Sequence, residues 1–304
     1  MALGVDLGGT TTTIALVDHR GTLQRSVRLP SRYTSGDDLL GHMSATIDAW
    51  QLEGSCRPCS VGLGLPGLVD VDAGMLLRCP KLPQLEGYPL RSSAEARLRL
   101  PVVLDNDVHA AALAEARLGA ARECRVAFCL TLGTGLGGAV VVGGQVVRGA
   151  GGLGGEIGHL RVTDAGSECD CGGRGCLQTE VNARAIVRRY REHAAAVPDL
   201  PDDAAEVARR AEVGDECARK ALADCGRQLG RGLAIVINLL NPDCIVVGGG
   251  IAGAGRWLLE PASEAARGGC WPQAWACCAV QEAELGRDAG VVGAGLLALE
   301  KQST

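Results

Sequence analysis

Two similar α/β lobes are the fold that the sequence predicts, and three observations predict them. An apolar run from Leu3 ends in Asp6, passes a Gly8-Gly9 turn and continues into a run dense in Thr, Ile and Val up to Asp18. The same order returns about 125 residues later, as Val126 to Leu132, then Gly133-Thr134-Gly135, then Gly138 to Val142. Each meander leads into helices and further strands, the alternation of an α/β architecture. Chance recurrence of ordinary hairpin chemistry is the alternative, and the Gly/Thr pairing in both turns weighs against it.

The first turn is informative about ligands. The run after Gly9 is β-branched and alternating, so it reads as a strand. That decides against the P-loop and the dinucleotide fingerprint, both of which require the glycine turn to open a helix. A β-hairpin remains, whose glycine backbone approaches a phosphate closely and whose Thr10 offers a hydroxyl. Thr22 to Leu29 follows the His19-Arg20-Gly21 turn as a third strand.

Asp37 to Trp50 carries Leu39, Leu40, Met43, Ile47 and Trp50 at helical spacing. A buried strand at Ser60 to Leu65 ends in Pro66-Gly67, Val69 to Arg78 is a hairpin about Asp72-Ala73-Gly74, and Leu90 to Leu98 is a short helix. Pro101 to Leu104 is a strand that runs into Asp105-Asn106-Asp107, and an Ala- and Leu-rich helix begins at Val108. Acidic residues at such a junction sit at the C-terminal edge of an α/β sheet, where ligands bind. A single Asp would be explained as a helix cap. Two carboxylates and an amide favour function.

After Gln145 to Arg148, a further strand, the densest chemistry lies in Gly151 to Glu180. Cys169, Cys171 and Cys176 fall as C-x-C-x4-C in a Gly-rich loop, with His159 ten residues upstream of the first. Three thiolates and an imidazole suit a closed, structural zinc site with no open position. Reduced thiols in a chain of 14 cysteines are the alternative, but these three are flanked by glycines instead of apolar positions. Glu156, three residues before His159, would be held beside the loop and suits a hydroxylated ligand.

Helices follow at Asn182 to Ala195 and Asp202 to Ala211, then a long one with Ala218, Leu222, Cys225, Leu229, Leu233 and Ile237 on one face. Such a stripe is core or a subunit contact. Asn241-Pro242 stops it, and Cys244 to Val247 is a strand running into Gly248-Gly249-Gly250 before a helix at Arg256 to Ala266. The triple glycine gives the close backbone approach that a base or ribose wants. One more strand is expected within Trp271 to Val280, and Ala289 to Lys301 closes the chain as a small-residue helix.

The 304 residues, 47% of them apolar, suffice for one large or two medium cores. A formal charge of −5 and 3% aromatic residues argue against a nucleic-acid surface and for small-molecule partners. MALGVDLGG has no basic segment before a long apolar one, and no stretch approaches 18 uncharged apolar residues, so a cytoplasmic protein without a membrane span is expected. Most cysteines read as reduced, and the C-x-x-C of Cys56 and Cys59, with no partner pair nearby, carries neither a redox nor a metal role in this reading.

DLGGT at 6 to 10, LDND at 104 to 107, LTLGTGLGG at 130 to 138, GEIGH at 155 to 159, CDCGGRGC at 169 to 176 and IVVGGG at 245 to 250 together resemble the ROK family of repressors, open reading frames and kinases. The resemblance implies an actin-like (ribonuclease H-like) sugar kinase with two lobes and an interlobe cleft, which moves the γ-phosphoryl of Mg-ATP to a hexose. The lobes are expected as 1 to 107, completed by the closing helix 289 to 304, and 108 to 288 with the zinc loop. Asp107 matches the catalytic base, and Asn106, Glu156 and His159 match the sugar-holding residues, with Gly67 beside them. Gly8, Gly9 and Thr10 match the first phosphate turn, Gly133, Thr134 and Gly135 the second, and Gly248, Gly249 and Gly250 the adenosine segment. Asp6 matches the acidic residue near the metal and phosphates. ATP, Mg2+ and structural Zn2+ are the implied cofactors, and homodimers are common among relatives.

Three positions depart from the family pattern. Gln178 stands where a sugar-contacting Glu is usual, with Glu180 nearby out of register. Thr11 replaces a Lys after the first turn and removes a cation that assists phosphate binding. Lys81 to Leu85 replaces the sugar-side wall N-L-P-x-W. The reading is an ATP-dependent hexokinase with glucose as its first substrate. An N-acetylmannosamine or N-acetylglucosamine kinase is the alternative within the class, since the altered wall and Gln178 would accommodate a 2-acetamido group. A non-catalytic sugar sensor is the alternative outside it, one without a helix-turn-helix, for which the turn at residue 6 leaves no room.

Overall fold

The computed structural model describes residues 1–194 and 200–301. The chain divides into two compact units, Met1–Arg122 with Gln145–Gly154 and Arg287–Thr304, and Glu123–Gly144 with Gly155–Gly286.

The first unit opens with an antiparallel meander, β1 (Ala2–Leu7), β2 (Thr11–Val17) and β3 (Leu23–Pro30). Helix α1 (Gly36–Leu52) starts where the Ser35 side chain accepts a hydrogen bond from the Asp38 amide, with Asp37 and Asp38 in the first turn to complement the helix dipole. Strand β4 (Val61–Leu65), the hairpin β5 (Leu68–Asp70) and β6 (Met75–Arg78), α2 (Leu90–Leu98), β7 (Val102–Asn106) and α3 (Asp107–Leu118) follow. The sheet order is β3-β2-β1-β4-β7, with β1, β4 and β7 mutually parallel. The edge strand β3 alternates in exposure, while every residue of the inner strand β4 is buried. Register aligns Asp6 on β1 with Gly64 on β4, and Gly64 with Asp105 on β7. The acidic residues of both motifs thereby end up on one edge, where the parallel strands finish.

In the second unit β8 (Val126–Leu132) and β9 (Leu136–Val142) form an antiparallel hairpin. The short strand β10 (Gln145–Val147) belongs to the first unit. The chain then supplies α4 (Leu177–Val181), α5 (Ala183–His193), α6 (Ala204–Glu212), α7 (Glu216–Leu240), β11 (Cys244–Gly248), α8 (Arg256–Gly269), α9 (Pro272–Ala276) and β12 (Ala279–Glu282). Strands β9, β8, β11 and β12 pair in that order, the last three parallel. The α7 stripe is core, since Ala218, Leu222, Cys225, Leu229, Leu233 and Ile237 are all fully buried. Its Gly226 and Gly230 let α8 approach until a Cβ at either would run into the carbonyl oxygens of Leu258 and Ala262.

Several expected bounds move. Asn182 caps α5 with its side chain and so stands outside it, and residue 195 of the expected helix lies outside the described residues. Within 271 to 280 a short helix opened by Pro272 comes first, and the strand begins only at Ala279. A 3-10 turn at Ala252–Ala254 separates the triple glycine from α8. No disulfide joins the described cysteines, and no helix among the described residues is long and apolar enough to cross a membrane.

The division into units also differs from the boundary expected at 107/108. Helix α3 and residues 145–154 belong to the first unit because they are tied into it. Asp105, 1% exposed, accepts from His109 Nδ1 (3.0 Å) and Arg148 Nε (2.7 Å), while His109 Nε2 donates to the Gly154 carbonyl (3.0 Å). Burial alone would raise the Asp105 pKa, but the hydrogen bonds and charges of His109 and Arg148 hold it below the usual carboxylate range.

The closing helix α10 (Ala289–Glu300) completes the same unit. Its small residues are a packing requirement. A Cβ at Gly4 or Gly62 would strike the α10 carbonyls of Val291 and Ala294, and one at Gly293 would strike the carbonyl oxygen of Ala110 on α3. Gly293→Ala should therefore destabilise the protein by about 2 kcal/mol or more in denaturant titration, since overpacking costs about 1–3 kcal/mol. Helix propensity alone favours Ala over Gly by about 1 kcal/mol, so a more stable variant would contradict this packing.

Candidate active site

The first unit builds a carboxylate at a strand–helix junction. Strand β7 ends at Asn106, whose Oδ1 accepts from the amides of Val108 (2.8 Å) and His109 (3.3 Å) and so caps α3. The capping role that a lone Asp would have filled thus falls to the amide between the two carboxylates. Asn106 Nδ2 donates to the Gly67 carbonyl (3.2 Å), which leaves one amide hydrogen for a ligand. Gly67 itself has φ +84°, and a Cβ there would run into the Arg78 carbonyl. Asp105 is absorbed in the buried ion pair, so of the D-N-D triplet only Asn106 and Asp107 remain available.

Asp107 is the first helical residue, where its Oδ1 accepts from the Val108 amide (2.9 Å). Desolvation nevertheless pushes its pKa up to about 6, against the lowering effects of the Val108 amide and of the Lys81 charge. Asp6 is raised to about 7, by desolvation first and then by the charge of Asp107. Two carboxylates that repel each other in partly dehydrated surroundings are poised to take up a proton or attract a cation. A side chain at Gly290, in the first turn of α10, would collide with the Asp6 carboxyl.

The first Gly/Thr turn is pinned by its own backbone and by Ser31, which no local pattern singles out. Gly8 N donates to Thr11 O (3.0 Å), Ser31 N donates to Thr10 O (3.0 Å), and Ser31 Oγ donates to Gly8 O (2.6 Å). Thr10 is exposed at the tip. Lys81 was also missed as a neighbour of this turn: a Cβ added to Gly9 would collide with its Cδ and lie 3.3 Å from its Cβ. No local pattern links residues so far apart in the chain.

The second unit brings two glycine segments together. Gly133 N donates to Gly135 O (2.9 Å), and Ala183 N donates to Gly133 O (3.0 Å), which fixes the turn after β8 with Thr134 exposed. Gly249 has φ +91° and lies so close to Leu132, the residue before that turn, that a Cβ would strike the Leu132 carbonyl. Gly248, Gly249 and Gly250 therefore leave β11 beside the Gly133-Thr134-Gly135 turn, at the C-terminal ends of adjacent parallel strands. Both segments present bare backbone, as phosphate and ribose contacts require.

The same unit gathers His159, Cys169, Cys171 and Cys176 with ligand atoms all within 4.8 Å of one another. Cys169 Sγ is 3.6 Å from His159 Nδ1, and Cys171 Sγ is 3.6 Å from Cys176 Sγ. A tetrahedral zinc with bonds of about 2.0–2.3 Å has edges of about 3.5–3.8 Å, so these separations fit the ion. The donor chemistry fits as well. Burial and the sulfurs of Cys171 and Cys169 push the Cys176 thiol pKa upward, a conflict that a bound cation removes. Gly172 (φ +88°) and Gly175 (φ +72°) take the left-handed conformations that turn the loop, and Gly175 leaves no room for a Cβ against the Thr163 carbonyl. Cys56 and Cys59 join no such group among the described residues, and the Cys59 thiol donates to the Met1 carbonyl (3.1 Å).

With Nδ1 toward the sulfurs, His159 turns Nε2 to Glu156 Oε2 at 3.8 Å. Gln178 Nε2 donates to Cys169 Sγ (3.0 Å), and a Cβ at Gly135 would lie 3.2 Å from its Oε1. The amide thus stands between the metal-type cluster and the second turn, a contact that a carboxylate, lacking a donor, does not make. Glu180 is buried and paired with Arg189 (2.9 Å), so it is committed to the fold.

Comparison with known proteins shows what carries such a set. The family model described as the ROK family matches residues 2–301. A glucokinase of Halalkalibacterium halodurans is 32% identical over 317 residues, covering 99% of this chain and 96% of that protein. The crystal structure of a ROK family glucokinase from Streptomyces griseus in complex with glucose and AMPPNP matches with a TM-score of 0.83 and 31% identity, covering 98% of this chain and 99% of that one. The N-acetylglucosamine repressor of Escherichia coli O6:H1 is 33% identical over 272 residues, 86% of this chain and 66% of the repressor.

Proposed function

The chain belongs to the ROK family, and from that premise we propose that it is an ATP-dependent sugar kinase that transfers the γ-phosphoryl group to a hexose, with glucose as its first substrate. The observation that carries the reading is Asp107, a carboxylate held at a strand–helix junction with its pKa raised to about 6. Such a group is ionised at neutral pH yet more basic than an ordinary Asp, which suits acceptance of a proton from an attacking sugar hydroxyl. The remaining demands of phosphoryl transfer are positioning and charge compensation.

In this reading Asp107 takes the hydroxyl proton as the oxygen attacks the γ-phosphorus. Asn106 offers its remaining amide hydrogen to a sugar hydroxyl and is itself held by the Gly67 carbonyl and the α3 amides. Glu156 accepts from sugar hydroxyls, and His159 meets the sugar through the Nε2 that its sulfur-facing Nδ1 leaves free. Gln178 belongs to the support of that wall through Cys169. Gly8, Gly9 and Thr10 approach the transferred phosphoryl group, Gly133, Thr134 and Gly135 the rest of the phosphate chain, and Gly248 to Gly250 the adenosine. Asp6 stands by the phosphates and the Mg2+ that accompanies ATP. His159, Cys169, Cys171 and Cys176 would hold zinc, which with four protein donors supplies rigidity to the loop and takes no part in the chemistry.

The likeness to an N-acetylglucosamine repressor favours a second reading, a sugar-binding core without turnover. One assay separates the two. ADP release coupled to hexose phosphorylation, with Mg-ATP and a panel of hexoses and N-acetylhexosamines, should show turnover, greatest with glucose. No turnover on any sugar would sink the kinase reading. Elemental analysis of the same protein should find about one zinc per chain, and a chain purified fully folded without metal would remove the assignment of the four donors.

A further inference from the structure

The first Gly/Thr turn raises a problem of charge. From Asp6 to Thr13 the chain reads DLGGTTTT, with an acid and no base. Asp6 and Asp107 already oppose each other there, and an incoming phosphoryl group adds further negative charge. Backbone amides and the Mg2+ that accompanies ATP would compensate part of that charge, and phosphoryl transfer commonly adds a fixed side-chain cation to them.

A cation stands against this turn. The aliphatic stem of Lys81 lies over Gly9, close enough that any side chain at Gly9 would displace it. The backbone that presents Lys81 is fixed on both sides. Leu82 N donates to Cys79 O (2.9 Å), Leu85 N donates to Leu82 O (3.0 Å), and Cys79 N donates to Glu86 Oε1 (2.7 Å). Leu82 and Leu85 are buried at 1% and 0% exposure, so the turn is nailed to the core while Lys81 itself stays exposed. A lysine whose stem packs on backbone and whose ammonium reaches past it is the usual compromise between apolar contact and hydration.

We propose that Lys81 supplies the cation that the first turn lacks in its own sequence, its ammonium compensating the phosphoryl group transferred beside Asp107. The assignment rests on the kinase reading above. It gives a role to a residue that sequence comparison treats as part of a sugar-side wall, and it explains how Thr11 is tolerated after the turn. The same charge acts on Asp107 and lowers its pKa. The groups that face Asp107 are Asp6 on β1, Cys79 and Lys81 in the turn before Leu82, and His109 on α3.

Lys81→Met and Lys81→Arg test the proposal by two readouts. The Asp107 carboxyl is followed by carbon NMR against pH, assigned with an Asp107→Asn control, and kcat/KM for ATP is measured across the same range with the best sugar. In K81M the Asp107 midpoint and the acid limb of kcat/KM should both move up by roughly half a pH unit. At neutral pH, kcat/KM for ATP should fall by roughly tenfold or more. K81R should keep the parent's midpoint and most of its activity, which a merely structural role for the lysine would not require. K81M with unchanged kcat/KM, or with an unmoved midpoint, overturns the proposal. A parent chain that phosphorylates no sugar fails earlier and differently, because that result removes the kinase reading itself.

Discussion

Two carboxylates, Asp107 and Asp6, in surroundings that resist charge are the feature around which the sheet edge of the first unit is built. Asp107 sits where desolvation raises its pKa to about 6, and its charge in turn raises that of Asp6. Two devices limit that penalty: the Val108 amide donates to the carboxylate at the positive end of α3, and Lys81 brings an opposite charge. The Asp105–Arg148–His109 group fixes the backbone that presents Asp107. The outcome is a carboxylate whose pKa of about 6 lies above that of an ordinary Asp, as the proposed proton acceptor requires.

The second unit solves a related problem with sulfur in place of carboxylate. Three thiols and an imidazole lie with their donor atoms within 4.8 Å of one another, and two of the separations, both 3.6 Å, match the edges of a tetrahedral zinc site. Holding His159 by Nδ1 frees Nε2 on the side of Glu156, so a structural ion would set the direction of a ligand contact without making one. Gln178 extends the same support from Cys169 to Gly135, which links the loop to the second glycine turn through one side chain.

Much of this was legible in the residues. The β1–β2 and β8–β9 hairpins announced themselves because β-branched residues continue directly past the glycines, which a helix would not allow. The cysteine spacing and the loop glycines declared a tight, inward-facing cluster, since sulfurs so placed have no apolar face to share. Long-range partners were not legible. Nothing near Asp105 in sequence pointed to Arg148, and nothing near Gly9 pointed to Ser31 or Lys81, because those contacts exist only after strands and turns distant in the chain are brought to one sheet edge. The division into units was misplaced for the same reason. Helix α3 follows a lobe-like boundary in sequence, but its small residues face α10, from the far end of the chain. Gln178 shows the limit at a single side chain. Its family position suggests a sugar contact, and its amide also donates to Cys169 Sγ, a contact that no local spacing announced.

We propose that Asp107 serves as the base and is not needed to hold the sugar. The most direct measurement compares Asp107→Asn with the parent by ADP release under saturating Mg-ATP and by calorimetric titration with the same hexose. Turnover should fall by about a thousandfold or more, since the amide cannot accept the hydroxyl proton, while the sugar dissociation constant stays within a few-fold of the parent's. Near-normal turnover in the folded variant would contradict the account.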